Sequence, residues 1–362
     1  MADDLRYWLG LSLVRGLGAA RMQSLLRYFG DLEAAWKSSA AHLRAAGLPK
    51  SVTEHLLYLR SRVDLDRELE RLRELDVQVI TWDSPEYRSL LKAIDHPPPV
   101  LYIKGELLPC DEWAVAIVGT RNATSYGREL ARQLAGDLAR AGVTIVSGLA
   151  LGIDAVAHRA ALEAGGRTIA VQACGLDIVY PWRHRELARR IETAGALVSD
   201  YAIGVKPEPS NFPPRNRIIS GLSLGTIVVE ADLKSGALIT LQFALEQGRE
   251  TFAVPGSVFQ RASRGTNAAI QRGEAKLITC AQDVLEELNL GRLSEQQEAR
   301  SILPETETER VIVSLLGRES LHVDEIVRRS QLSTADVTSA LTLMELKGMV
   351  RRVENMTYAL VY

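Results

Sequence analysis

The sequence predicts an α/β protein built on a doubly wound, mostly parallel β-sheet. Between residues 111 and 288, short apolar runs alternate with amphipathic stretches of helical period. The runs are apolar at every position, as in parallel strands that are covered on both faces. The chain has 362 residues, which is enough for two or three domains. Strands are predicted at Ala114–Val118, Thr144–Ser147, Thr168–Gln172, Ala196–Ser199, Thr226–Glu230 and Thr251–Val254.

Composition narrows the class of protein. Hydrophobic residues make up 46% and charged residues 24%, which is ordinary globular usage. The formal net charge is −2, so a nucleic-acid-binding protein of this composition must concentrate its positive charge locally. No uninterrupted apolar run of about 18 residues is present, so membrane insertion is not expected. The three cysteines form no metal-binding or disulfide pattern, and free thiols with no signal peptide favour the cytoplasm.

The segment before the sheet is predicted to be helical. Residues 1–65 contain short apolar-periodic runs separated by the turn Gly16-Leu17-Gly18, a pattern similar to helix-hairpin-helix or sterile-alpha-motif-like domains. The turn could direct backbone N–H groups at a phosphate, or it could be a plain helical turn. A charged helix at Asp66–Leu75 and two short strands, at Val77–Ile80 and Val100–Ile103, lead into the sheet. The second domain is therefore predicted to span residues 66–288.

The chain after the sheet is predicted to be a linker and a small third domain. Residues 289–306 are polar and charged, as in a linker. Residues 307–362 show three helical patterns and a hairpin around Glu354-Asn355, which is typical of a winged-helix domain. The third helix carries few cations, with only Lys347 near its end, so both duplex-DNA binding and protein interaction remain open for this domain.

Glycine-rich turns follow the first two strands of the main sheet. Gly119 and Arg121 come directly after the first strand, and Ser147 and Gly148 end the second. Turns of this kind expose backbone N–H groups to an anion at a helix N-terminus. The spacing matches neither the dinucleotide-binding glycine motif nor a Walker A loop, so a Rossmann-like domain without a nucleotide cofactor is expected.

Aromatic and basic residues are interleaved after the later strands. Trp182 and Arg183 follow the third strand. The stiff loop Ser210–Pro214 presents Phe212, and Arg215, Asn216 and Arg217 come at the start of the next helix. Aromatic faces beside cations are suited to stacked bases and their phosphates. Lys234, Ser235 and Gly236 open a further helix at the same predicted sheet edge.

Catalytic chemistry has little support in the sequence. Asp154 and His158 lie four residues apart on one helix, and we interpret them as a helix cap and a core hydrogen bond because no nucleophile completes a triad. Glu230 is a carboxylate at a strand end. It leaves open a nucleotide-binding hydrolase similar to phosphoribohydrolases, although their glycine-rich motif is missing. An adaptor protein that acts through the winged helix is a further alternative. No metal site and no cofactor are expected.

The ordered set of motifs resembles the DNA-processing protein A family (DprA, also called Smf). The resemblance spans about residues 80–288 and includes Val118–Arg121, Ser147–Asp154 with Ala157-His158, Gly175–Asp177 with Tyr180-Pro181, Phe212–Ile219, Ser235–Thr240 and Phe252–Gly256. Each motif is weak alone, whereas the set in this order is specific. The helical segment and the winged helix also look like those of longer family members.

The resemblance implies a non-catalytic protein that binds single-stranded DNA, forms a homodimer and interacts with the RecA recombinase. Family members protect incoming strands in natural transformation and help RecA to load on them. The resemblance implies phosphate contacts at Arg121, Arg215 and Arg217, a base near Phe212, and dimer contacts at Ile270 and Leu277.

The chain departs from the family pattern at two places, and these departures bear on the implied contacts. Trp182 stands where the family often has a basic residue, and one extra residue separates the two dimer positions.

Replacing Arg121 or Arg215 by alanine is expected to weaken single-strand binding and leave the fold intact.

Overall fold

The chain forms two compact units, Met1–Asn289 and Leu290–Tyr362. The computed structural model describes residues 2–290, 306–316, 320–346, 349–354 and 356–360. Most of the predicted linker therefore lies outside the described residues. The lower bound of the sheet domain at residue 66 is a division drawn from the sequence, and it stays a prediction.

The first unit contains most of the regular structure. Its helices are α1 (Ala2–Ser12), α2 (Ala19–Phe29), α3 (Leu32–Lys37), α4 (Ala40–Ala45), α5 (Lys50–Arg60), α6 (Leu65–Glu74), α7 (Ser89–Lys92), α8 (Ser125–Arg140), α9 (Ile153–Glu163), α10 (Arg185–Ala194), α11 (Phe212–Gly221), α12 (Gly236–Glu246), α13 (Arg264–Gln271) and α14 (Ala281–Glu287). Its strands are β1 (Gln78–Thr81), β2 (Val100–Gly105), β3 (Ala114–Val118), β4 (Thr144–Ser147), β5 (Thr168–Val171), β6 (Gly195–Ser199), β7 (Gly225–Val228), β8 (Glu250–Ala253) and β9 (Lys276–Leu277).

The nine strands form one sheet in the order β1-β2-β6-β5-β4-β3-β7-β8-β9. β1 and β2 pair antiparallel at one edge, β2 pairs antiparallel with β6, and the other pairs are parallel. The chain runs outward from β3 to β6 and then returns to add β7 on the other side of β3. The prediction of a doubly wound, mostly parallel sheet is confirmed, and the reversal of strand order between β3 and β7 creates the crevice where such sheets bind ligands.

The apolar runs form strands because helices cover both of their faces. Every residue of β3, β4, β5, β6 and β7 is buried. The observed strands agree with the predicted ones to within two residues. The two-residue strand β9 and the short helix α7 were not predicted, because elements of this length carry too few residues to show a period.

The N-terminal helices share the hydrophobic core of the sheet. Trp8 of α1 meets Trp82 edge-on, with ring centroids 5.6 Å apart. The hydroxyl groups of Ser12 and Tyr102, the latter on β2, are 3.2 Å apart. In the turn between α1 and α2, the backbone N–H of Arg15 donates to His55 Nδ1 over 2.9 Å. The helical segment is therefore fastened to the antiparallel edge of the sheet.

The second unit contains the predicted three helices and a small sheet. They are α15 (Glu307–Leu316), α16 (Val323–Ser330) and α17 (Thr334–Leu346), with β10 (Leu321–His322), β11 (Val350–Glu354) and β12 (Thr357–Leu360). The strand order is β10-β12-β11, so the hairpin β11-β12 forms the wing. The unit has its own apolar core. Lys347, Gly348 and Asn355 lie outside the described residues.

Two predictions from composition concern membranes and cysteines. Over the described ranges, no helix has both the length and the apolar character needed to cross a bilayer. Cys110, Cys174 and Cys280 are all free thiols, and only Cys174 is buried.

Candidate nucleic-acid interface

A cavity of about 500 Å³ opens at the carboxyl ends of the central strands. It lies beside the reversal of strand order between β3 and β7. Seven of the predicted site residues contribute to its wall: Gly119, Arg121, Phe212, Arg215, Asn216, Ser235 and Gly236. These residues are spread over more than a hundred positions of the sequence. The topology brings them together because parallel strands end at one edge of the sheet.

Arg121 and two aromatic rings form the outer wall of this cavity. The Arg121 guanidinium lies 5.3 Å from the centroid of the Phe212 ring. The Tyr180 ring tilts against the same phenylalanine, with centroids 5.7 Å apart. Arg121 and Tyr180 are exposed, and Phe212 is half-buried. Within the part of the chain that the structure describes, the Arg121 guanidinium makes no hydrogen bond or ion pair. It is therefore held by a cation–π contact and remains available to an anion.

Arg215 has a different position from Arg121, because its side chain points into the protein. Only 3% of the residue is exposed. Its Nη1 donates to the carbonyl oxygens of Gly148, at 3.1 Å, and Val171, and its Nε donates to Asn216 Oδ1 over 3.2 Å. Arg215 thereby ties the start of α11 to the ends of β4 and β5. These contacts lead us to expect a loss of stability from Arg215→Ala, whereas the sequence alone led us to expect an intact fold.

A buried carboxylate, Asp154, and a half-buried one, Asp200, compensate the charge of Arg215. Burial lowers the pKa of Arg215 to about 10, whereas Asp154 and Asp200 raise it. Conversely, burial raises the pKa of Asp154, and the charge of Arg215 and the N–H groups of Ala150 and Gly148 oppose that rise. Asp154 Oδ2 accepts from the N–H of Gly148 over 3.1 Å and from the N–H of Ala150 over 3.3 Å. Asp154 therefore shapes the β4–α9 loop, and the predicted helix cap is wrong because Gly152 is the N-cap residue.

Glycines allow the close packing beneath the cavity. A Cβ atom on Gly148 would lie 2.7 Å from Arg215 Nη2 and 2.9 Å from Asp154 Oδ2. A Cβ atom on Gly119 would lie 2.5 Å from Ile153 Cγ1, which is at the start of α9. The two predicted glycines thus make room for the buried charges and for the helix N-terminus.

The N-terminus of α12 also lines the cavity. Ser235 caps this helix, and its hydroxyl oxygen accepts from the N–H of Ala237 over 3.3 Å. Gly236 is exposed, and a Cβ atom added there would meet no other atom within 4 Å. Asn216 Nδ2 donates to the carbonyl of Gly236 over 3.4 Å, which joins α11 to this wall. An anion in the cavity would face the positive end of the α12 dipole.

The other predicted site residues do not line the cavity. Ser147 is buried in the sheet, where its hydroxyl donates to the carbonyl of Ile117 over 2.6 Å. Arg217 forms an ion pair with Asp200 at 2.7 Å. Gly148 contributes to the cavity indirectly, through Arg215. Trp182, Arg183 and Lys234 are exposed nearby, with Trp182 showing 73% of its surface. They are free to contact a ligand that extends beyond the cavity.

Glu230 and His158, which the sequence offers for acid–base catalysis, are both buried and take part in hydrogen bonds inside the fold. Glu230 is 2% exposed, and its two carboxylate oxygens accept from the N–H of Thr124, at 2.9 Å, and from the Thr124 hydroxyl. His158 is buried, which lowers its pKa to about 3, and its Nδ1 lies 2.7 Å from Thr168 Oγ1. The predicted core hydrogen bond of His158 is confirmed. In the described ranges, no cluster of three potential metal ligands occurs.

Sequence reasoning did not commit to several residues of the cavity wall. Tyr180, Pro207, Pro209 and Ile239 all contribute to it. Tyr180 follows the third predicted strand, so its position in the chain was a usable signal. Ile239 lies in the first turn of the apolar helix α12 and is 38% exposed. Its position just after the predicted Ser235 and Gly236 was a usable signal. The two prolines lie in the long β6–α11 loop, whose path over the sheet no local pattern indicates.

Comparison with known proteins places both units in one family. A family model described as DNA recombination-mediator protein A matches residues 78–289. A second model, described as the DprA winged helix domain, matches residues 296–356 and confirms the winged-helix prediction. Protein Smf of Synechocystis is 36% identical over 98% of both chains. Protein Smf of Escherichia coli is 37% identical over 92% of both, and DNA processing protein DprA of Bacillus subtilis is 46% identical over 62% of this chain and 75% of the relative.

Solved structures agree with the sequence matches. DNA processing protein A of Streptococcus pneumoniae superimposes with a TM-score of 0.69 and 34% identity, covering 78% of this chain and 97% of that chain. The Helicobacter pylori protein, whose structure is described as giving insight into its single-stranded DNA binding mode, superimposes with a TM-score of 0.53 and 32% identity, covering 58% of this chain and 95% of that chain. The recognised motifs, the sheet topology, the winged helix and these matches together show that the chain belongs to the DNA-processing protein A (DprA/Smf) family.

Proposed function

We propose that the cavity at the carboxyl ends of β3 and β7 binds single-stranded DNA, with phosphates at Arg121 and a base at Phe212. The observation that carries the proposal is the contact of the exposed Arg121 guanidinium with the Phe212 ring. It puts a group that can bind a phosphate beside a ring on which a base can stack. Gly119, Asn216, Ser235 and Gly236 line the same cavity. The single-strand binding described for the Helicobacter pylori relative supports this proposal.

The residues named from the sequence divide into two roles in this proposal. Arg121, Phe212, Asn216, Ser235 and Gly236 contact the strand, together with the backbone of Gly119. The positioning residues are Ser147, Gly148, Arg215 and Arg217, because their side chains or backbone are used inside the fold. Trp182, Arg183 and Lys234 contact nucleotides outside the cavity.

The decisive experiment is a fluorescence-anisotropy titration of labelled oligothymidine at two salt concentrations. We expect Arg121→Ala to raise Kd about 10-fold, because one charge-assisted hydrogen bond to a phosphate is lost. The slope of log Kd against log salt should fall by about 0.7 for each phosphate contact removed from a single strand.

The control for this experiment is Arg140→Ala, which removes the same charge at the far end of α8, where Arg140 pairs with Asp137. Its affinity and salt slope should equal those of the wild type. If the wild type does not bind the oligomer at low salt, or if Arg121→Ala binds normally, the proposed binding site in the cavity is refuted.

We extend the proposal to the family's cellular role, which is protection of incoming single strands and loading of RecA during natural transformation in the cytoplasm. Membership of the family supports this role. A protein that holds a strand by phosphate contacts and stacking, without breaking a bond, is suited to pass that strand to a recombinase.

A homodimer through α13 and β9 is the second part of the proposal. Leu277 lies on the outer strand of the sheet and is 46% exposed, whereas Ile270 is half-buried against the core. We expect Leu277→Glu to sediment as a monomer while the wild type sediments as a dimer. Leu343→Glu, which adds the same charge at an exposed position of the winged helix, should leave the dimer intact. Equal sedimentation of Leu277→Glu and the wild type would rule out this surface.

The engagement of Glu230 with Thr124 weighs against the hydrolase alternative, because the carboxylate is buried and both oxygens already accept hydrogen bonds. The adaptor alternative leaves the cavity without a use. It remains compatible with DNA binding, since the winged helix is a separate unit.

A further inference from the structure

A groove adjoins the cavity on the side of α8 and α9. Its volume is about 560 Å³, and Arg121 lines both spaces. Two more arginines, Arg128 of α8 and Arg159 of α9, also line the groove, and its lining contains no carboxylate. The groove is therefore strongly positive, although the whole chain carries a formal net charge of −2.

Among the residues that the structure describes, no carboxylate forms an ion pair with the arginines of this groove. Arg159 is exposed and makes no hydrogen bond or ion pair within the described ranges. In the same ranges, the acceptors of Arg128 are uncharged: the carbonyl of Ala123 and the Ser125 hydroxyl. The nearby Glu129 is paired with Arg132 at 2.8 Å.

Helix electrostatics strengthen the field in the groove. Arg128 lies in the first turn of α8, where a cation opposes the helix dipole and an anion is favoured. The N-terminus of α9 opens into the groove at Gly152. Asp154, the acidic residue in the first turn of α9, is buried and accepts from the N–H groups of Gly148 and Ala150, so it does not occupy the groove.

We infer that this groove binds the phosphodiester backbone of the strand as it leaves the cavity, with phosphates at Arg128 and Arg159. The inference rests on the proposed single-strand function and adds the direction that the strand takes. Arg121 lies at the junction, where it can contact the phosphate that connects the cavity to the groove. The groove lining contains no Phe, Tyr or Trp, and the imidazole of His184 is buried beside the Leu149 carbonyl, so the groove holds the backbone without selecting bases.

The test compares two oligothymidines with wild-type protein and with Arg159→Gln. Lengths of about 4 and about 16 nucleotides represent the range of site sizes of single-strand binding domains. We expect Arg159→Gln to weaken binding of the longer oligomer about fivefold and to lower its salt slope by about 0.7. Binding of the shorter oligomer should be unchanged, because it fills the cavity alone.

Two further variants make the outcomes separable. Arg140→Gln, at the other end of α8, should match the wild type at both lengths. Arg128→Gln with Arg159→Gln should lower the salt slope for the longer oligomer by about 1.4. If Arg159→Gln binds both oligomers like the wild type, the strand does not follow this groove and the inference is overturned. If wild-type protein binds neither oligomer, the proposed function itself fails.

Discussion

Replacing Arg215 by alanine is expected to lower the free energy of unfolding by about 3–5 kcal/mol, the range for breaking a buried charge network from one side. The substitution leaves the carbonyls of Gly148 and Val171 without their donor. It also removes the cation that counters the buried carboxylate of Asp154, and one of the two cations, with Arg217, that counter Asp200. A loss of this size is a large share of the stability of a typical domain.

Denaturant unfolding followed by tryptophan fluorescence measures this loss in the structural unit Met1–Asn289. All five tryptophans precede residue 289, so the signal reports only on the unit that contains Arg215. Arg121→Ala is the matched control, since its exposed side chain makes no hydrogen bond within the described ranges and should change stability by less than about 0.5 kcal/mol. Equal midpoints for the two variants would contradict the assignment of Arg215 as a positioning residue.

The pH dependence of Arg215→Ala gives an independent check. Burial raises the pKa of Asp154, and Arg215 opposes that rise. Without Arg215, the folded state should hold the Asp154 proton to a higher pH than the unfolded state does. A group whose pKa is raised by folding adds stability as the pH falls. The deficit of Arg215→Ala relative to the wild type should therefore shrink as the pH falls from neutral into the acidic range.

The parts of this molecule that could be predicted from sequence are those with a local physical signal. The strands β3 to β8 are visible because burial on both faces makes each run apolar throughout. The convergence of Arg121, Phe212 and Ser235 on one cavity follows from the rule that parallel strands end at one edge of the sheet. The antiparallel pairing of β2 with β6 has no such local signal, since its partners are separated by about ninety residues.

The direction of an arginine side chain is the part that sequence reasoning missed, although a signal exists. Arg215 shares a helical stripe with Ile218, Ile219 and Leu222, all of which are buried. That spacing places the arginine on the inner face of α11. By contrast, Arg159 follows the buried His158 on the outer face of α9. Helical phase therefore separates a structural arginine from one that is free to bind, where residue type alone does not.

Replacing Phe212 by alanine should weaken single-strand binding without altering its salt dependence. A base stacked on an aromatic ring contributes about 1–3 kcal/mol, which corresponds to an increase in Kd of about 5-fold to 150-fold. No charge is removed, so the slope of log Kd against log salt should stay at the wild-type value. The ring is half-buried and lies at the cavity wall, so the fold should be retained.

Phe212→Tyr is the matched variant, because it keeps the stacking face and should bind nearly as well as the wild type. The alternative role for Phe212 is to hold Arg121 through the cation–π contact at 5.3 Å. In that case Phe212→Ala would lower the salt slope as Arg121→Ala does, since the phosphate contact would be lost with the ring. A weaker Kd at unchanged slope therefore assigns a base to Phe212. A weaker Kd at reduced slope assigns the ring to positioning Arg121, and an unchanged Kd removes the base from this wall of the cavity.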